Sequence, residues 1–155
     1  MNKRVQFALA VIVVASVIGG VAAIYAALAH YEVASSEFCS ISATFDCDLV
    51  NKSAYSEIFG IPVSILGFGA YVFFFLSSLW YLRKPSETLL NLMIFASVTG
   101  LLFSLYLTSI EAFVLHAWCV LCITSQISII FVTASVFGIR FSEKKPEPTL
   151  KEIHQ

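Results

Sequence analysis

The chain has 155 residues, enough for one domain, and its composition is 59% hydrophobic and only 12% charged. A soluble domain carries about twice that charged fraction, so the composition excludes an ordinary soluble globule. The net charge of −1 gives no information about nucleic-acid binding. The sequence has no stripe of basic residues that would predict a phosphate-binding face. We therefore expect membrane lipid, and no nucleic acid, among the partners.

Four stretches without Asp, Glu, Lys or Arg follow one another along the chain. Each approaches or exceeds the roughly 20 residues that cross a bilayer as a helix, and a buried charge costs roughly 2.5–3.5 kcal/mol on insertion. The predicted spans are about 5–29, 58–82, 88–110 and 112–139. We therefore predict an all-α fold, an integral membrane four-helix bundle in one domain (1–142), followed by a polar cytoplasmic tail (143–155).

The first span has an alternative interpretation as a cleaved signal peptide, with Ala27-Leu28-Ala29 as its cleavage site. Its apolar run is longer than the roughly 7–15 residues usual for a signal-peptide core. That length favours a retained transmembrane helix.

Basic residues are divided unevenly between the two sides of the predicted bundle. One side carries Lys3, Arg4, Arg83, Lys84, Arg140, Lys144, Lys145 and Lys151. The other side carries Lys52 alone. By the positive-inside rule we place both termini in the cytoplasm and the connections 31–57 and about 111–117 on the extracytoplasmic face of the cell (inner) membrane.

The first outer connection is long enough to contain structure of its own. Apolar residues recur at roughly helical intervals after Leu49, and Gly60-Ile61-Pro62 ends the pattern. The pattern predicts a short helix between Leu49 and Phe59, lying as a lid over the outer mouth of the bundle.

The second outer connection is short and leads directly into a C-x-x-C motif. Its Glu111 could accept a proton released by the cysteines. Because a carboxylate in a loop is ordinarily solvated, we expect Glu111 to face water instead.

All four cysteines fall on the outer side, where thiols tend to be oxidised. Cys119 and Cys122 form the C-x-x-C at the outer end of the last span, where a helix N-terminus favours a reactive thiolate. Cys39 and Cys47 lie in the long loop, close enough to bond to each other. The loop could also bring either sulfur to Cys119 for thiol–disulfide exchange.

Two other interpretations of these cysteines stay open. They could form structural disulfides in a non-catalytic tetraspan protein, as cysteines on the secreted side usually do. A two-residue spacer within a helix makes a strained, reducible disulfide, which argues against that role for the C-x-x-C. Four thiolates could also bind zinc, but the spacing of the loop pair is unusual for zinc ligands, so we predict no metal.

The order of the motifs resembles the vitamin K epoxide reductase family, most closely its prokaryotic, disulfide-forming members. The likeness covers nearly the whole chain. It rests on Cys39 and Cys47, then Ser53, Tyr55 and Gly60-Ile61-Pro62, then Cys119-Val120-Leu121-Cys122. The rival DsbB type also has four spans and two cysteine pairs, but its C-x-x-C lies in the first loop.

The resemblance implies a quinone-linked thiol oxidase that generates protein disulfides. A separate thioredoxin-fold (DsbA-like) protein would pass two electrons to the pair Cys39 and Cys47. Cys47 would then exchange with Cys119, and Cys122 would deliver the electrons to ubiquinone or menaquinone. Ser53 and Tyr55 would lie beside the quinone and help to cover it.

One position departs from the family pattern. Vertebrate members carry a tyrosine four residues after the C-x-x-C, where this chain has Gln126. The departure argues against vitamin K epoxide as the substrate, so vitamin K (epoxide) reductase stands as an alternative function. Many bacterial relatives carry a fused thioredoxin-like domain, whereas this chain has only its short tail, so we expect a separate electron donor.

Overall fold

The computed structural model describes residues 2–34 and 45–144. Cys39 and the predicted tail beyond Lys144 lie outside this part of the chain. The described helices, in chain order, are α1 (Lys3–His30), α2 (Cys47–Asn51), α3 (Val63–Arg83), α4 (Glu87–Ile110) and α5 (Val120–Lys144). A π-helical turn, Glu111–Leu115, continues α4, and a 3-10 turn, Ala54–Ser56, follows α2.

Within the described residues, four helices are long and apolar enough to cross a membrane: α1, α3, α4 with its π turn, and α5. Large apolar side chains on their outer surfaces face away from the protein, among them Trp80, Phe95, Leu102 and Phe131. Such an exposed apolar belt suits contact with lipid. The predicted all-α membrane bundle is confirmed, and the protein is a multi-pass membrane protein.

The core depends on α1, which packs against both α3 and α5, while α4 packs mainly against α5. The buried side chains of this core include Leu9, Ile12, Phe74, Met93 and Val132. At Gly19 the two helices α1 and α3 approach closely, because the ring of Tyr71 occupies the space that a Cβ would need. Small residues permit such approaches in membranes, where the hydrophobic effect does not drive helices together.

The lid is the segment 45–62, and its structure differs in detail from the predicted helix between Leu49 and Phe59. Its helix α2 begins earlier, at Cys47, because the Asp46 carboxylate accepts the backbone N–H groups of Asp48 and Leu49, both at 3.1 Å. Side-chain capping of this kind satisfies donors that have no partner within a helix.

A small hairpin closes the lid and moves the start of α3. Strand β1 (Glu57–Ile58) pairs antiparallel with β2 (Ile61–Pro62). The turn between them places Phe59 at φ 53° and Gly60 at φ 76°, which no helix can accommodate. The helix therefore begins at Val63, five residues after the predicted start of the second span.

The last helix also begins later than the predicted span from residue 112. His116 has the left-handed φ of 52° and ends the π turn. The chain then runs without helix through Trp118, and α5 begins at Val120. This break separates Glu111 from the start of α5 in sequence but not in space.

The two ends of the bundle differ in charge. Lys3, Arg4, Arg83, Lys84 and Arg140 lie at the helix ends that form one end of the bundle. There Arg140 pairs with Glu87, and Tyr81 donates a hydrogen bond to Glu143. The lid, the π turn and the start of α5 lie at the opposite end.

Candidate functional site

The C-x-x-C motif forms the first turn of α5. The Cys119 carbonyl accepts the N–H of Ile123 at 2.9 Å, so Cys119 holds the N-cap position. Its Sγ accepts the backbone N–H of Cys122 at 3.4 Å. Both cysteines are free thiols, and their spacing places them on one side of the helix.

The surroundings of Cys119 favour its thiolate. The Cys122 side chain donates to the Cys119 sulfur and lowers the pKa of the Cys119 thiol, more than burial raises it. The backbone N–H of Cys122 acts in the same direction. A cysteine whose thiolate is stabilised at a helix N-terminus is typical of disulfide exchange.

Cys47 lies next to Cys119 at the base of the lid. Phe45 forms a parallel bridge with Trp118, which aligns the two chain segments that lead into the cysteines. Cys47 and Cys119 are both fully buried and belong to one cluster. Cys47 is disulfide-bonded, and since Cys119 and Cys122 are free, neither is its partner.

An apolar cavity of about 730 Å³ opens on the other side of the C-x-x-C. Cys122 lines this cavity, together with apolar residues from all four long helices. Ser53, Tyr55 and Asn51 contribute its wall on the side of the lid. The structure thus brings the predicted residues Ser53, Tyr55 and Cys122 to one cavity, while Cys119 packs on the side of Cys47.

The lid is fixed to α1 through His30. The imidazole Nδ1 donates to the Asn51 carbonyl at 2.7 Å, and Nε2 lies 3.1 Å from the Glu57 carboxylate. Ser53 donates its hydroxyl proton to the carbonyl of Val50 at 2.8 Å. These contacts hold Asn51 and Ser53 over the cavity.

Asn51 lines the cavity and has a buried side-chain donor without a partner among the described residues. The residue is only 7% exposed, and its Nδ2 has no hydrogen-bond partner among the described residues. A buried amide without a partner costs about 1–3 kcal/mol. Asn51 is not among the predicted site residues, and its only signal in the sequence is its place two residues before Ser53.

Glu111 corrects the expectation of a solvated carboxylate. It is 3% exposed, lines the cavity, and accepts the Cys119 N–H on Oε2 at 3.2 Å. The Cys122 thiol interacts with this carboxylate as well as with the Cys119 sulfur. The π turn carries Glu111 under the start of α5. A signal existed in the sequence, since Glu111 is the only Asp, Glu, Lys or Arg between residues 88 and 139.

Gln126, which departs from the vertebrate pattern, forms hydrogen bonds to α4. Its Oε1 accepts hydrogen bonds from the hydroxyls of Ser104 and Thr108. Among the described residues, no group of three or more His, Cys, Asp or Glu side chains could hold a metal ion.

Fold and site together define a membrane protein with a C-x-x-C pair, one thiol of which lines an apolar cavity, which is the arrangement of a membrane thiol oxidoreductase. The sequence pattern of the Vitamin K epoxide reductase family matches residues 10–137. The chain therefore belongs to this family, and the predicted resemblance is confirmed. No curated protein matches the chain.

Proposed function

We propose that this oxidoreductase takes electrons from an extracytoplasmic thioredoxin-fold protein and passes them through two cysteine pairs to a quinone, ubiquinone or menaquinone. Protein disulfides are the product. The observation that carries the proposal is the division of the C-x-x-C between two environments. Cys119 packs against Cys47, whereas Cys122, one helical turn later, lines the apolar cavity.

The cavity fits a quinone in size and chemistry. Its volume of about 730 Å³ lies within the range of roughly 300–1,000 Å³ usual for sites that bind small molecules. The apolar walls suit the ring. Tyr55 and Ser53 would cover the ring from the lid. The quinone supplies an acceptor for two electrons and two protons.

The thiol steps balance as a series of exchanges. The donor's dithiol reduces the Cys39–Cys47 disulfide and becomes a disulfide itself. The Cys47 thiolate then attacks the Cys119 sulfur of the Cys119–Cys122 disulfide, and Cys122 leaves. Cys39 attacks Cys47 in turn, the loop disulfide reforms, and Cys119 leaves with both electrons now held by the C-x-x-C.

The lowered pKa of Cys119 supports its part, because a thiol of lower pKa leaves faster in disulfide exchange. The bridge between Phe45 and Trp118 supports direct exchange, since it keeps the two attacking segments side by side.

The orientation belongs to the same proposal. Basic residues of α1, α3 and α5 gather at the end of the bundle away from the cysteines, and positive charge favours the cytoplasm. We therefore place the cysteines on the extracytoplasmic face of the inner membrane and the termini inside.

Quinone reduction by the purified protein tests the proposal. With a reduced thioredoxin-fold donor, we expect turnover in the wild type and none in Cys122→Ser or Cys39→Ser. A small dithiol should restore turnover to Cys39→Ser, because this variant loses only the cysteine that receives electrons from the donor protein. It should not restore turnover to Cys122→Ser, because that variant loses the cysteine that delivers electrons to the quinone. If the wild type reduces no quinone and its disulfides survive mild reductant, the cysteines are structural and the proposal is wrong.

A further inference from the structure

Glu111 is the sole carboxylate among the described residues that line the cavity. It forms no ion pair with a Lys, Arg or His of the described chain. A buried charge without an ion-pair partner is costly, and a structural role alone does not account for it. The position suits a group that exchanges a proton.

The contacts of this carboxylate lead to the reacting pair. The backbone N–H of Cys119 donates to Oε2 at 3.2 Å, which fixes the direction of the carboxylate. The Cys122 thiol interacts with both the Cys119 sulfur and this carboxylate, so its one proton can be directed to either. Glu111 is therefore held at the start of α5, and it lines the same cavity as Cys122.

The other titratable groups on the cavity are less well placed to take this proton. Both nitrogens of His30 are engaged, by the Asn51 carbonyl and by Glu57. The hydroxyl of Tyr71 donates to the Ser125 carbonyl at 2.7 Å. Tyr55 lies on the lid, and Cys122 is the donor itself.

We propose that Glu111 is a catalytic proton acceptor that takes the Cys122 thiol proton as the pair is oxidised and gives it to the reduced quinone. The inference rests on the proposed function. Oxidation of the two thiols releases two electrons and two protons, and the quinone takes up both electrons. The Cys119–Cys122 disulfide bond forms, and Glu111 carries one proton from the Cys122 sulfur to the quinone oxygen, returning to its carboxylate form. The Cys119 thiol releases its proton to water, and the second quinone oxygen takes its proton from water.

A substitution separates this role from a structural one. In Glu111→Gln the amide oxygen can still accept the Cys119 N–H. If Glu111 only orders the start of α5, glutamine should therefore replace it with little loss of rate. The amide cannot accept a proton. Glu87→Gln is the matched control, because it makes the same chemical change on the same helix at the opposite end of the bundle, where Glu87 pairs with Arg140.

The first readout is the rate at which prereduced protein reduces quinone. We expect a loss of about 100-fold in Glu111→Gln, the scale of general acid–base catalysis, and an unchanged rate in Glu87→Gln. A Glu111→Gln rate within about threefold of wild type, below the usual effect of such catalysis, would overturn the inference.

The second readout needs no quinone. The infrared S–H stretch of Cys122, assigned by its loss in Cys122→Ser, reports the strength of the hydrogen bond that the thiol donates. We expect a low-frequency band in the wild type that shifts upward in Glu111→Gln. A Cys122 band at the frequency of a free thiol in the wild type would overturn the inference, even if Glu111→Gln does not fold. If the wild type reduces no quinone, the proposed function fails. The Cys122 S–H band then still tests whether the Cys122 proton is directed at Glu111.

Discussion

At the scale of single residues, the two thiols of the C-x-x-C have different tasks because they have different neighbours. Cys119 is enclosed with Cys47, and its sulfur accepts hydrogen bonds at the start of α5. Cys122 faces the cavity and Glu111. In the proposed function, one helical turn therefore separates the exchange of disulfides from the delivery of electrons.

The low pKa of Cys119 gives a direct prediction. Because the Cys122 side chain is its main cause, Cys122→Ala should raise the Cys119 pKa and move its titration to higher pH. Cys122→Ser keeps an O–H donor and should titrate closer to the wild type. Ultraviolet thiolate absorbance against pH, with the loop pair kept as a disulfide, measures both variants. Equal titration of Cys119 in the two variants would show that the side-chain donor is not the cause.

The sequence could predict Cys47, Cys119 and Cys122 as a group because cysteine chemistry depends on residue type and spacing. It could not predict the burial of Glu111, which requires a π turn and a left-handed His116, neither of which has a periodic pattern. Cys39 lies outside the described residues, and its role stays a prediction.

At the scale of elements, the packing of α1 on α3 depends on the absence of a side chain at Gly19. A Cβ there would lie 2.3 Å from Cζ of Tyr71. The ring cannot turn away freely, because it is 4% exposed and its hydroxyl donates to Ser125 on α5. One methyl group at this position therefore disturbs three helices.

Gly19→Ala should destabilise the protein by about 1–3 kcal/mol, the usual cost of overpacking. Gly69→Ala is the matched control, since a Cβ at Gly69 meets nothing within 4 Å. The control should be neutral or stabilise slightly, because alanine favours a helix over glycine. Unfolding of the purified protein in mixed detergent measures both, and equal midpoints would mean that Tyr71 yields without cost.

Helix positions followed well from the sequence, since uncharged stretches of sufficient length have few alternatives in a membrane. The helix ends did not. The hairpin at Phe59 and Gly60 and the break after Leu115 depend on local backbone conformation and tertiary contacts. Apolar residues continue through both, so hydropathy extends the predicted spans past the true helix starts.

At the scale of the whole molecule, the charges predict which lysines face the outside. Lys52 is the basic residue on the cysteine side, and its side chain is 42% exposed. A membrane-impermeant amine reagent applied to intact cells should label Lys52 and spare Lys3 and Lys84. Since the hydrogen bond from Lys52 to Glu32 raises the Lys52 pKa, labelling should be faster in alkaline buffer.

Lys52→Arg is the control for that experiment, because it keeps the charge but removes the reactive amine. The signal from intact cells should vanish in this variant and return when the cells are opened. Labelling of Lys3 or Lys84 in intact cells would reverse the orientation and place the cysteines in the cytoplasm.

The bundle as a whole holds the C-x-x-C between the lid and an apolar cavity. The proposed function requires that electrons leave through Cys122 into that cavity. A single turnover tests it most directly. The fully reduced protein, freed of reductant, is mixed with one equivalent of quinone, and quinone absorbance and remaining thiols are measured together. We expect one quinone reduced for every two thiols lost, and none in Cys122→Ser. Undiminished quinone reduction in Cys122→Ser would contradict the account.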